Sequence, residues 1–444
     1  MQLPASAYKL IGFLENAGYE TYAVGGYVRD TILDRPRGDV DMTTSALTSQ
    51  VHAVMASKGI AVHDTGVEHG TVTVVVDGDA MEVTTYRVDG PYGDHRHPDS
   101  VTFTRKLEDD LARRDYTINA MAYSPERGFK DLFGGRQDLD ARLIRCVGDP
   151  DKRFQEDALR ILRGLRLASQ LGFIIEPKTL AAMHRNAQLL ANMSRERVST
   201  EFTKLLCGVN VRQVLVDYMD ILGVAIPQLL PMKGFQQHNE HHVYDVLEHT
   251  AVAVETVPPK PVLRYAALLH DVGKPETYSV DEDGVGHFFG HAEKSEAIAH
   301  EVCESLRLPT DWTQRICTVV KYHRADIAPE RKAVRHWMNK IGVDALEDLL
   351  WVKRGDVTGL APQYRDAVII FDKMDEMIEE LIEEDACFQL KDLALNGQDL
   401  LDLGFKPGPQ IGETLNWLLD QVIDEAVPNN RDELLALAHT RLEG

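Results

Sequence analysis

Cysteine and long apolar runs are both scarce in this sequence of 444 residues. Its five cysteines never form a Cys-x-x-Cys pair; they are Cys146, Cys207, Cys303, Cys317 and Cys387. Such scattered thiols argue against disulfides and against a cysteine-type zinc site, and they favour a reducing cytoplasm. No apolar run approaches the ~20 residues needed to span a bilayer. Residues 1–20 also lack the basic start and apolar core of a signal peptide. We therefore expect a cytoplasmic protein with no membrane partner.

Positive charge is also scarce, since 48 Lys and Arg residues stand against 70 Asp and Glu residues, for a net charge of -22. Nucleic-acid-binding proteins normally carry a basic surface, but a local basic stripe matters more than the total. Such a stripe lies between positions 105 and 166, whereas acidic residues gather elsewhere, for instance in 375–385. We expect RNA binding at the stripe and a steep loss of affinity with salt.

A glycine pair marks the first candidate site. Residues 23–44 read AVGGYVRDTILDRPRGDVDMTT. The apolar run 21–24 predicts a short buried strand, and Gly25 and Gly26 let the backbone turn tightly into a helix over 27–33. The free amides at such a helix start suit an anion such as a triphosphate.

The Asp-x-Asp pair that follows is a candidate metal site. A strand carrying Asp39 and Asp41 would present both carboxylates on one face, because side chains alternate along a strand. Paired carboxylates near a phosphate cradle are hard oxygen ligands, which predicts Mg²⁺ here. The alternative is a surface turn, since Asp and Gly are abundant in turns.

The order GG-x-V-R-D followed by D-x-D resembles the nucleotidyltransferase motif of class II tRNA nucleotidyltransferases and bacterial poly(A) polymerases. The resemblance implies a polymerase-β-like head in which the glycine pair and Arg29 cradle phosphates while the two aspartates hold Mg²⁺. In that superfamily a third carboxylate often comes from a later strand, which makes Glu82 a candidate. An exposed carboxylate on an alternating strand is an equal alternative for Glu82.

Two β-rich runs, 69–76 and 80–86, flank Asp77-Gly78, which is a strong hairpin signal. The polar residues 87–105 then predict a long mobile loop, and loops of this length in compact domains are often functional. In the resembled family a flexible loop at this place helps the site switch to ATP for the terminal A. Members that add only CC lack it, so its presence favours full CCA addition.

Residues 113–119, RRDYTIN, resemble the second motif of the same family. The resemblance implies that Arg114 contacts the nucleotide and that Asp115 helps to bind the ribose. A guanidinium fork suits phosphate oxygens, and a carboxylate suits paired hydroxyl groups. The alternative is a solvated charged helix.

A later motif, EDALRILRGLR at 156–166, predicts a helix with Asp157, Arg160 and Arg163 on neighbouring parts of its surface. These two arginines and Arg166 recur every third residue with no acidic partner in step. In the resembled enzymes this motif is a protein template for the incoming base. Its carboxylate accepts from the exocyclic amine of C or A, while its first arginine donates to ring acceptors. The resemblance therefore implies selection of C and A without a nucleic-acid template.

The next motif, at 194–206, begins with a plausible N-cap serine and resembles a structural motif of the family. We expect Glu196 and Glu201 to brace the preceding helix through its arginines.

A second constellation consists of histidines and aspartates on apolar helices and resembles an HD-type metal phosphohydrolase domain. Its best ligand candidates are His249, His270, Asp271 and Asp356, and His291 and His323 would build a second site. Imidazoles and carboxylates hold transition metals or Mg²⁺, and an adjacent His-Asp pair can bridge two ions. Hydrolase activity and a helical scaffold without turnover are equal alternatives. Four further histidines are expected at the surface or in packing: His238, His241, His242 and His287.

The chain is too long for one core, so roughly two to four domains are expected. We predict an α+β fold with a polymerase-β-like head at 1–145, followed by all-α segments. These are a neck at 146–210, an HD-type domain at 211–365 and a tRNA-binding tail at 366–444.

The leading hypothesis is a CCA-adding enzyme that uses CTP, ATP and Mg²⁺ on tRNA, with a second divalent metal as an option in the HD domain. One rival is a poly(A) polymerase with the same head. Those enzymes usually carry a Gly-Arg-Arg-Phe-type run and a very basic C-terminal extension, neither of which occurs here. A second rival is a protein that acts chiefly as an HD phosphohydrolase. The oligomeric state is left open.

Overall fold

The structure, a computed structural model, describes residues 1–90 and 100–443. The chain forms two compact units, Met1–Pro227 and Gln228–Gly444. The first unit combines a large sheet with helices, and helices dominate the second unit, which confirms the predicted α+β fold. Within the described residues, no helix combines the length and the apolar character that crossing a bilayer requires. The division into four domains stays a prediction.

The strands are, in chain order, β1 Thr21–Val24, β2 Asp41–Thr44, β3 Ala61–Gly66, β4 Thr71–Val76, β5 Asp79–Thr85, β6 Arg87–Asp89, β7 Val101–Phe103, β8 Met121–Ser124, β9 Gly128–Asp131, β10 Leu143–Ile144, β11 Ile174–Ile175, β12 Ser279–Val280 and β13 Gly286–His287.

The α-helices of the first unit are α1 Ala5–Asn16, α2 Gly26–Ile32, α3 Thr48–Ala56, α4 Leu107–Ala112, α5 Gly135–Asp140, α6 Pro150–Glu156, α7 Leu159–Leu171, α8 Pro177–Asn186, α9 Arg195–Leu206 and α10 Val211–Ala225. Those of the second unit are α11 Val246–Thr256, α12 Pro261–Leu269, α13 Lys274–Thr277, α14 His291–Ser305, α15 Thr310–Tyr322, α16 Arg331–Ile341, α17 Val343–Thr358, α18 Ile369–Glu383, α19 Gly397–Leu403, α20 Pro409–Ile423 and α21 Arg431–Glu443. Short 3₁₀ helices cover Val67–His69, Thr117–Asn119, Ala187–Asn192, Pro227–Met232, Pro362–Val368 and Leu390–Asp392.

A seven-stranded mixed sheet, in the order β3-β4-β5-β2-β1-β8-β9, organises the first unit. Strand β2 is antiparallel to β1 and parallel to β5. The register pairs Asp41 with Val24, the last residue of β1, and pairs Met42 with Val83. The glycine turn after β1, Asp41 and Glu82 therefore meet at one place in the sheet.

The hairpin of β4 and β5 follows directly from local sequence. Alternate valines of β4 (Val72, Val74 and Val76) are buried, as a strand with one core face requires. Asp77 and Gly78 adopt positive φ angles of 54° and 92°, which a tight two-residue turn between twisted strands needs. The predicted hairpin is confirmed.

Three sequence predictions about local structure need correction. Strand β2 begins at Asp41, so Asp39 lies in the segment before the strand and not within it. Residues 87–105 contain the paired strands β6 and β7, where a continuous loop was predicted. The central part of that segment, 91–99, lies outside the described residues.

The third correction concerns the helix predicted over 156–166. Asp157 has extended angles (φ -143°, ψ 102°) and separates α6 from α7. Helix α7 then packs closely on its neighbours at Gly164, where an added Cβ would lie 2.3 Å from Tyr116 Oη. The Tyr116 hydroxyl donates a hydrogen bond to the Arg160 carbonyl oxygen (2.5 Å), so the glycine sets the distance between α7 and the RRDYTIN segment.

In the second unit, helices α11, α12, α14, α15 and α17 pack against one another, and the six candidate metal ligands lie on these helices or directly after them. The acidic segment 368–384 also predicts a helix from its sequence, and this helix is present as α18. Helices α19 to α21 enclose a further apolar cluster, which includes Leu400, Leu418 and Leu434.

Candidate functional site

The first candidate site is a carboxylate pair on adjacent parallel strands. Asp41 and Glu82 occupy neighbouring positions on β2 and β5, and both are exposed, as is Asp39 just before β2. Neighbouring groups remove part of the hydration of Asp41, and this loss, together with the charge of Glu82, raises its pKa. Arg114 acts in the opposite direction. The site thus holds a local excess of negative charge that a cation would relieve.

The glycine turn leaves space beside this pair. Gly25 has a φ of 73° and a ψ of -137°, which only glycine adopts without strain. A Cβ placed there would lie 3.4 Å from Arg114 Nη1 and 3.9 Å from Asp41 Oδ2. A larger residue would therefore both strain the turn and fill the gap between the arginine and the carboxylate.

Arg29 is held in one orientation by two partners. Its Nε and Nη2 donate to the carboxylate of Asp30 at 2.9 and 2.8 Å, and its Nη1 donates to Asn119 Oδ1 at 2.7 Å. An added Cβ at Gly26 would lie 3.5 Å from Arg29 Nη2. The arginine therefore lies against the glycine turn, as the phosphate role requires.

A buried aspartate that sequence reasoning missed organises the arginines. Asp110 pairs with Arg113 (2.7 Å) and with Arg114 (3.4 Å), and it accepts a hydrogen bond from Thr43 Oγ1 (3.0 Å). Burial opposes its ionisation, but Arg113 and Arg114 lower its pKa below the ordinary value. The available signal was the spacing of three and four residues between this acid and the two arginines.

The three arginines of α7 are each paired with a carboxylate, although the sequence shows no acidic residue in step with them. Arg160 pairs with Glu156, four residues earlier (2.8 Å), whereas the partners of Arg163 and Arg166 lie in other parts of the chain: Asp115 (3.1 Å) and Glu201 (3.2 Å) respectively. The bracing role expected of Glu201 is present. No periodicity within 156–166 could show the pairs of Arg163 and Arg166, because both of these acids lie outside that segment.

The predicted base-selecting pair is held rigidly. Arg160 is 7% exposed, and its guanidinium also donates to the carbonyl oxygens of Arg153 (3.2 Å) and Arg113 (3.1 Å). Asp157 Oδ2 accepts from Arg197 Nη2 at 2.8 Å. Arg197 is a second residue that the sequence did not reveal, although it lies in the motif at 194–206.

Asp115, the predicted ribose ligand, is buried and already has several partners. Its Oδ1 accepts from the Tyr116 amide (2.8 Å) and from Asn119 Nδ2 (3.4 Å), while its Oδ2 faces Arg163. Burial raises the pKa of this carboxyl, yet the stronger combined effect of Arg163 and Arg160 lowers it. The ribose contact stays a prediction, and the contacts observed give Asp115 the task of orienting Arg163.

The second candidate site, in the second unit, brings together all four predicted HD ligands. One ligand atom from each of His249, His270, Asp271 and Asp356 lies within 4.8 Å of the others, and Asp271, His291 and His323 form a second such group. Asp271 serves both groups: Oδ2 faces His249 (3.4 Å) and His270 (3.2 Å), and Oδ1 faces His291 (3.4 Å) and His323 (3.6 Å). Asp271 thus offers one oxygen to each group, an arrangement that would suit a pair of metal ions.

The imidazoles are oriented toward the cluster by backbone carbonyls. Nδ1 of His270, His291 and His323 lies 2.7 Å from the carbonyl oxygens of Ala267, Phe288 and Val320 respectively. A carbonyl can only accept, so each Nδ1 carries a proton and each Nε2 faces the cluster. Burial lowers the pKa of His323 to about 4, which keeps its imidazole neutral at physiological pH.

His242, which was expected at the surface or in packing, borders this cluster. Its ring centroid lies 5.1 Å from that of His249, and its Nε2 is 3.4 Å from Lys274 Nζ. Burial and the charge of Lys274 lower its pKa to about 3. The backbone at Gly359 also packs closely against His249. A Cβ added at this glycine would lie 2.5 Å from His249 Nδ1, so a larger residue would displace the imidazole.

Models of known protein families match three segments of this chain. Residues 21–145 match the model of the Poly A polymerase head domain, and residues 172–220 match that of the RNA and SrmB-binding site of polymerase A. Residues 282–438 match a model of tRNA nucleotidyltransferase domain 2. The fold and the first site thus define a nucleotidyltransferase with a polymerase-type head.

Full-length relatives narrow this class. The CCA-adding enzyme of Limosilactobacillus fermentum is 34% identical over 444 residues, which cover 98% of this chain and 97% of that protein. The CCA-adding enzyme of Geobacillus thermodenitrificans is 52% identical over 202 residues, or 46% of this chain and 49% of that protein. The crystal structure of the Bacillus stearothermophilus CCA-adding enzyme in complex with CTP matches with a TM-score of 0.75 and 30% identity, covering 100% of this chain and 98% of that chain. The chain belongs to the family of CCA-adding enzymes.

Proposed function

We propose that this protein adds C, C and A to the 3′ end of tRNA from CTP and ATP without a nucleic-acid template. The observation that carries the proposal is the meeting of Asp41, Glu82 and Arg114 at the Gly25 turn of a polymerase-type head. Full-length similarity to CCA-adding enzymes supports the tRNA substrate. We extend the proposal to the four-domain division and to a cytoplasmic location.

Mg²⁺ fits the first site, because Asp39, Asp41 and Glu82 supply hard oxygen donors; burial first, and then the charge of Glu82, raises the pKa of Asp41. When bound, Mg²⁺ supplies activation of the attacking 3′-hydroxyl and neutralisation of the leaving pyrophosphate. Arg29 and Arg114 would bind the phosphates from the side of the glycine turn. Their pairing with Asp30 and Asp110 fixes both guanidinium groups before the nucleotide arrives.

Base selection would fall to Asp157 and Arg160. A carboxylate accepts from the exocyclic amine of C or A, which U lacks, and an arginine donates to the acceptors on the Watson-Crick edge. Selection by hydrogen bonds requires groups that do not adapt to the wrong base. The contacts of Arg160 with Glu156 and two carbonyl oxygens, and of Asp157 with Arg197, support such rigidity.

The direct test uses three tRNAs that end before C, after the first C and after the second C, incubated with Mg²⁺, CTP and ATP. We expect each to be completed to CCA and then extended no further. Activity restricted to the third tRNA would indicate an A-adding enzyme, and unlimited addition of A would indicate a poly(A) polymerase.

The Asp39→Ala variant tests the metal site in the same assay. We expect extension to be abolished while the circular dichroism spectrum is unchanged, because Asp39 is exposed. Glu68→Gln is a matched control, since the side chain of Glu68 is 86% exposed in the same unit and outside the site. Full activity of Asp39→Ala would show that the metal assignment is wrong.

A second candidate function is metal-dependent hydrolysis of a phosphate ester in the second unit. It is favoured by the bridging position of Asp271 between two ligand groups. His249, His270 and Asp356 would hold one ion and His291 and His323 the other. Such ions polarise a phosphoryl oxygen and activate water when bound. Lys274 Nζ, 2.7 Å from Asp271 Oδ2, holds this carboxylate in its bridging orientation.

Metal content and phosphate release test this second function together. After dialysis against Mn²⁺, the wild-type protein should retain metal by mass spectrometry, and His270→Ala should lose it. Inorganic phosphate released from p-nitrophenyl phosphate reports turnover. Metal retention without phosphate release would identify a structural centre, and failure to retain metal would exclude both roles.

A further inference from the structure

Asn119 contacts two charged side chains of the first site that belong to different parts of it. Its Oδ1 accepts a hydrogen bond from Arg29 Nη1 at 2.7 Å, and its Nδ2 donates to Asp115 Oδ1 at 3.4 Å. Arg29 is the proposed phosphate ligand, and Asp115 is the predicted ribose ligand. The amide of Asn119 therefore connects the groups that would hold the two ends of the sugar-triphosphate part of a nucleotide.

The chemistry of the two partners fixes the orientation of this amide. A guanidinium can only donate hydrogen bonds, and a carboxylate can only accept them. The amide oxygen must therefore face Arg29, and the amide nitrogen must face Asp115. An aspartate at position 119 could accept from Arg29 but could not donate to Asp115, and a leucine could do neither.

The backbone that carries Asn119 is held in place by its surroundings. Asn119 is 7% exposed and ends the 3₁₀ helix Thr117–Asn119, and its backbone amide donates to the Tyr116 carbonyl oxygen at 2.9 Å. The Thr117 carbonyl oxygen packs so closely on Gly135 that an added Cβ there would lie 2.3 Å away. This packing gives the amide one position relative to its two partners.

The contact with Asn119 also determines which donors of Arg29 can face a ligand. Two N–H groups of the guanidinium bond to Asp30, and a third bonds to Asn119. Within the part of the chain that the structure describes, these bonds leave two of the five N–H groups for phosphate oxygens. Loss of the contact with Asn119 would remove one of the two partners that orient these donors.

We propose that Asn119 is a positioning residue that holds Arg29 and Asp115 in a fixed relation to each other. Arg29 would then bind the phosphates only when the sugar hydroxyl groups are placed at Asp115. A sugar that lacks a hydroxyl would lose the second contact and would bind more weakly. The proposal rests on the proposed nucleotide addition for its ligand, CTP, but binding can be measured without tRNA and therefore without turnover.

Isothermal titration calorimetry of the full-length protein in Mg²⁺ measures the two contacts separately. Inorganic pyrophosphate reports phosphate binding, and CTP is compared with 2′-deoxy-CTP and 3′-deoxy-CTP, each of which lacks one sugar hydroxyl. The wild type should prefer CTP to at least one of these analogues. Asn119→Leu should weaken pyrophosphate binding and reduce the preference for CTP by roughly tenfold each, the effect of one hydrogen bond to a charged group.

A double-mutant cycle tests whether Asn119 acts on phosphate binding through Arg29. In an Arg29→Ala background, the further change Asn119→Leu should leave the affinity for pyrophosphate unchanged, because the partner is already absent. Asn119→Ala removes the same contacts without adding bulk and should reproduce the effects of Asn119→Leu. The melting temperature of each variant reports whether it is folded.

Asn186→Leu is the matched control in the same unit. Asn186 is also 7% exposed, and its Nδ2 also donates to an aspartate, Asp151, at 2.7 Å, as well as to the Ala182 carbonyl oxygen. This variant should lower the melting temperature, since it loses buried hydrogen bonds. It should leave the pyrophosphate affinity and the preference for CTP unchanged.

Three results would overturn the proposal. They are wild-type values in both folded Asn119 variants, a parallel loss in Asn186→Leu, and equal affinity of the wild type for CTP and both deoxy analogues. Extension of tRNA by the wild type, measured alongside, separates this proposal from the proposed function. Binding that depends on Asn119 without any extension would refute nucleotide addition and support the positioning role. Extension by the wild type with unchanged binding in the Asn119 variants would refute the positioning role alone.

Discussion

Asp41 stands where two effects oppose its ionisation, the loss of hydration and the nearby charge of Glu82. Because its pKa is raised in the folded protein, the unfolded chain ionises more easily. Stability from this group is therefore present at low pH and is lost as the pH rises through the raised pKa. The same negative charge would bind Mg²⁺. Asp41 would therefore lower the stability of the folded protein while it provides a metal ligand, as residues of active sites often do.

The Asp41→Asn variant tests this trade. At neutral pH in EDTA its melting temperature should exceed that of the wild type, since a neutral amide removes the repulsion from Glu82. The difference should vanish as the pH falls toward the ordinary carboxyl range near about 4. Nucleotide addition to tRNA should be lost throughout. Glu68→Gln, outside the site, should change neither quantity, and a lower melting temperature of Asp41→Asn at neutral pH would contradict the argument.

Arg197 would influence base selection indirectly, through its contact with Asp157. It contacts the carboxylate of Asp157 at 2.8 Å, and through Asp157 it would act on the incoming base. Arg197→Ala should lower kcat/KM for CTP by roughly tenfold to a hundredfold, the effect of losing one charge-assisted hydrogen bond. It should also raise the incorporation of UTP relative to CTP, which a merely structural role would not do.

The control for Arg197 lies two residues earlier on the same helix. Arg195 donates to the carbonyl oxygen of Ala225 at 2.8 Å and has no contact with Asp157, so Arg195→Ala should leave the UTP to CTP ratio unchanged. Arg197→Lys should restore part of the selectivity. If the ratio of UTP to CTP incorporation is unchanged in Arg197→Ala, Arg197 has no part in base selection.

Helix α7 is fixed by close packing at one glycine. At Gly164 an added Cβ would lie 2.3 Å from Tyr116 Oη and 2.4 Å from Met183 Cε. In an exposed helix, glycine to alanine stabilises by up to about 1 kcal/mol, but overpacking costs about 1–3 kcal/mol. Gly164→Ala should therefore lower the free energy of unfolding in urea.

Gly12 provides the matched comparison for Gly164. It lies within α1, and among the described residues nothing comes within 4 Å of its added Cβ. Gly12→Ala should raise the free energy of unfolding, so the two substitutions should have opposite signs. Equal signs would show that helix propensity, and not the contact with Tyr116, decides the outcome.

At the scale of elements, the sequence predicted what local chemistry determines. Asp77-Gly78 predicted a hairpin because positive φ angles suit these residues, and the acidic segment 368–384 predicted a helix, which is present as α18. The break at Asp157 was missed because EDALR is compatible with a helix, while the observed conformation accompanies a contact with Arg197, 40 residues away. Likewise, the pairing of Arg163 with Asp115 depends on packing that no local pattern contains.

At the scale of the molecule, the net charge of -22 coexists with a basic stripe between positions 105 and 166. Several arginines of this stripe are already paired with acidic side chains. Arg113, Arg160, Arg163 and Arg166 each pair with a carboxylate. These arginines are therefore held by neighbouring carboxylates, and contacts with RNA phosphates would fall to exposed residues of the stripe such as Arg105, Lys106 and Lys152. A count of basic residues in the sequence cannot make this distinction, because pairing depends on the fold.

Two compact units also mean that a ligand of one unit should protect that unit selectively. The proposed metal ligands lie on or beside α11, α12, α14, α15 and α17, so metal binding should oppose the opening of these helices. With Mn²⁺ at a hundred times its dissociation constant, exchange of amides that require unit opening should slow by about a hundredfold. Hydrogen exchange with mass spectrometry of the full-length protein, in EDTA and in Mn²⁺, measures this peptide by peptide.

In Asp271→Asn the protection of these helices should disappear, because its bridging carboxylate is lost. If protection persists in this variant, or fails to appear in the wild type, the proposal of a metal centre at these residues is wrong.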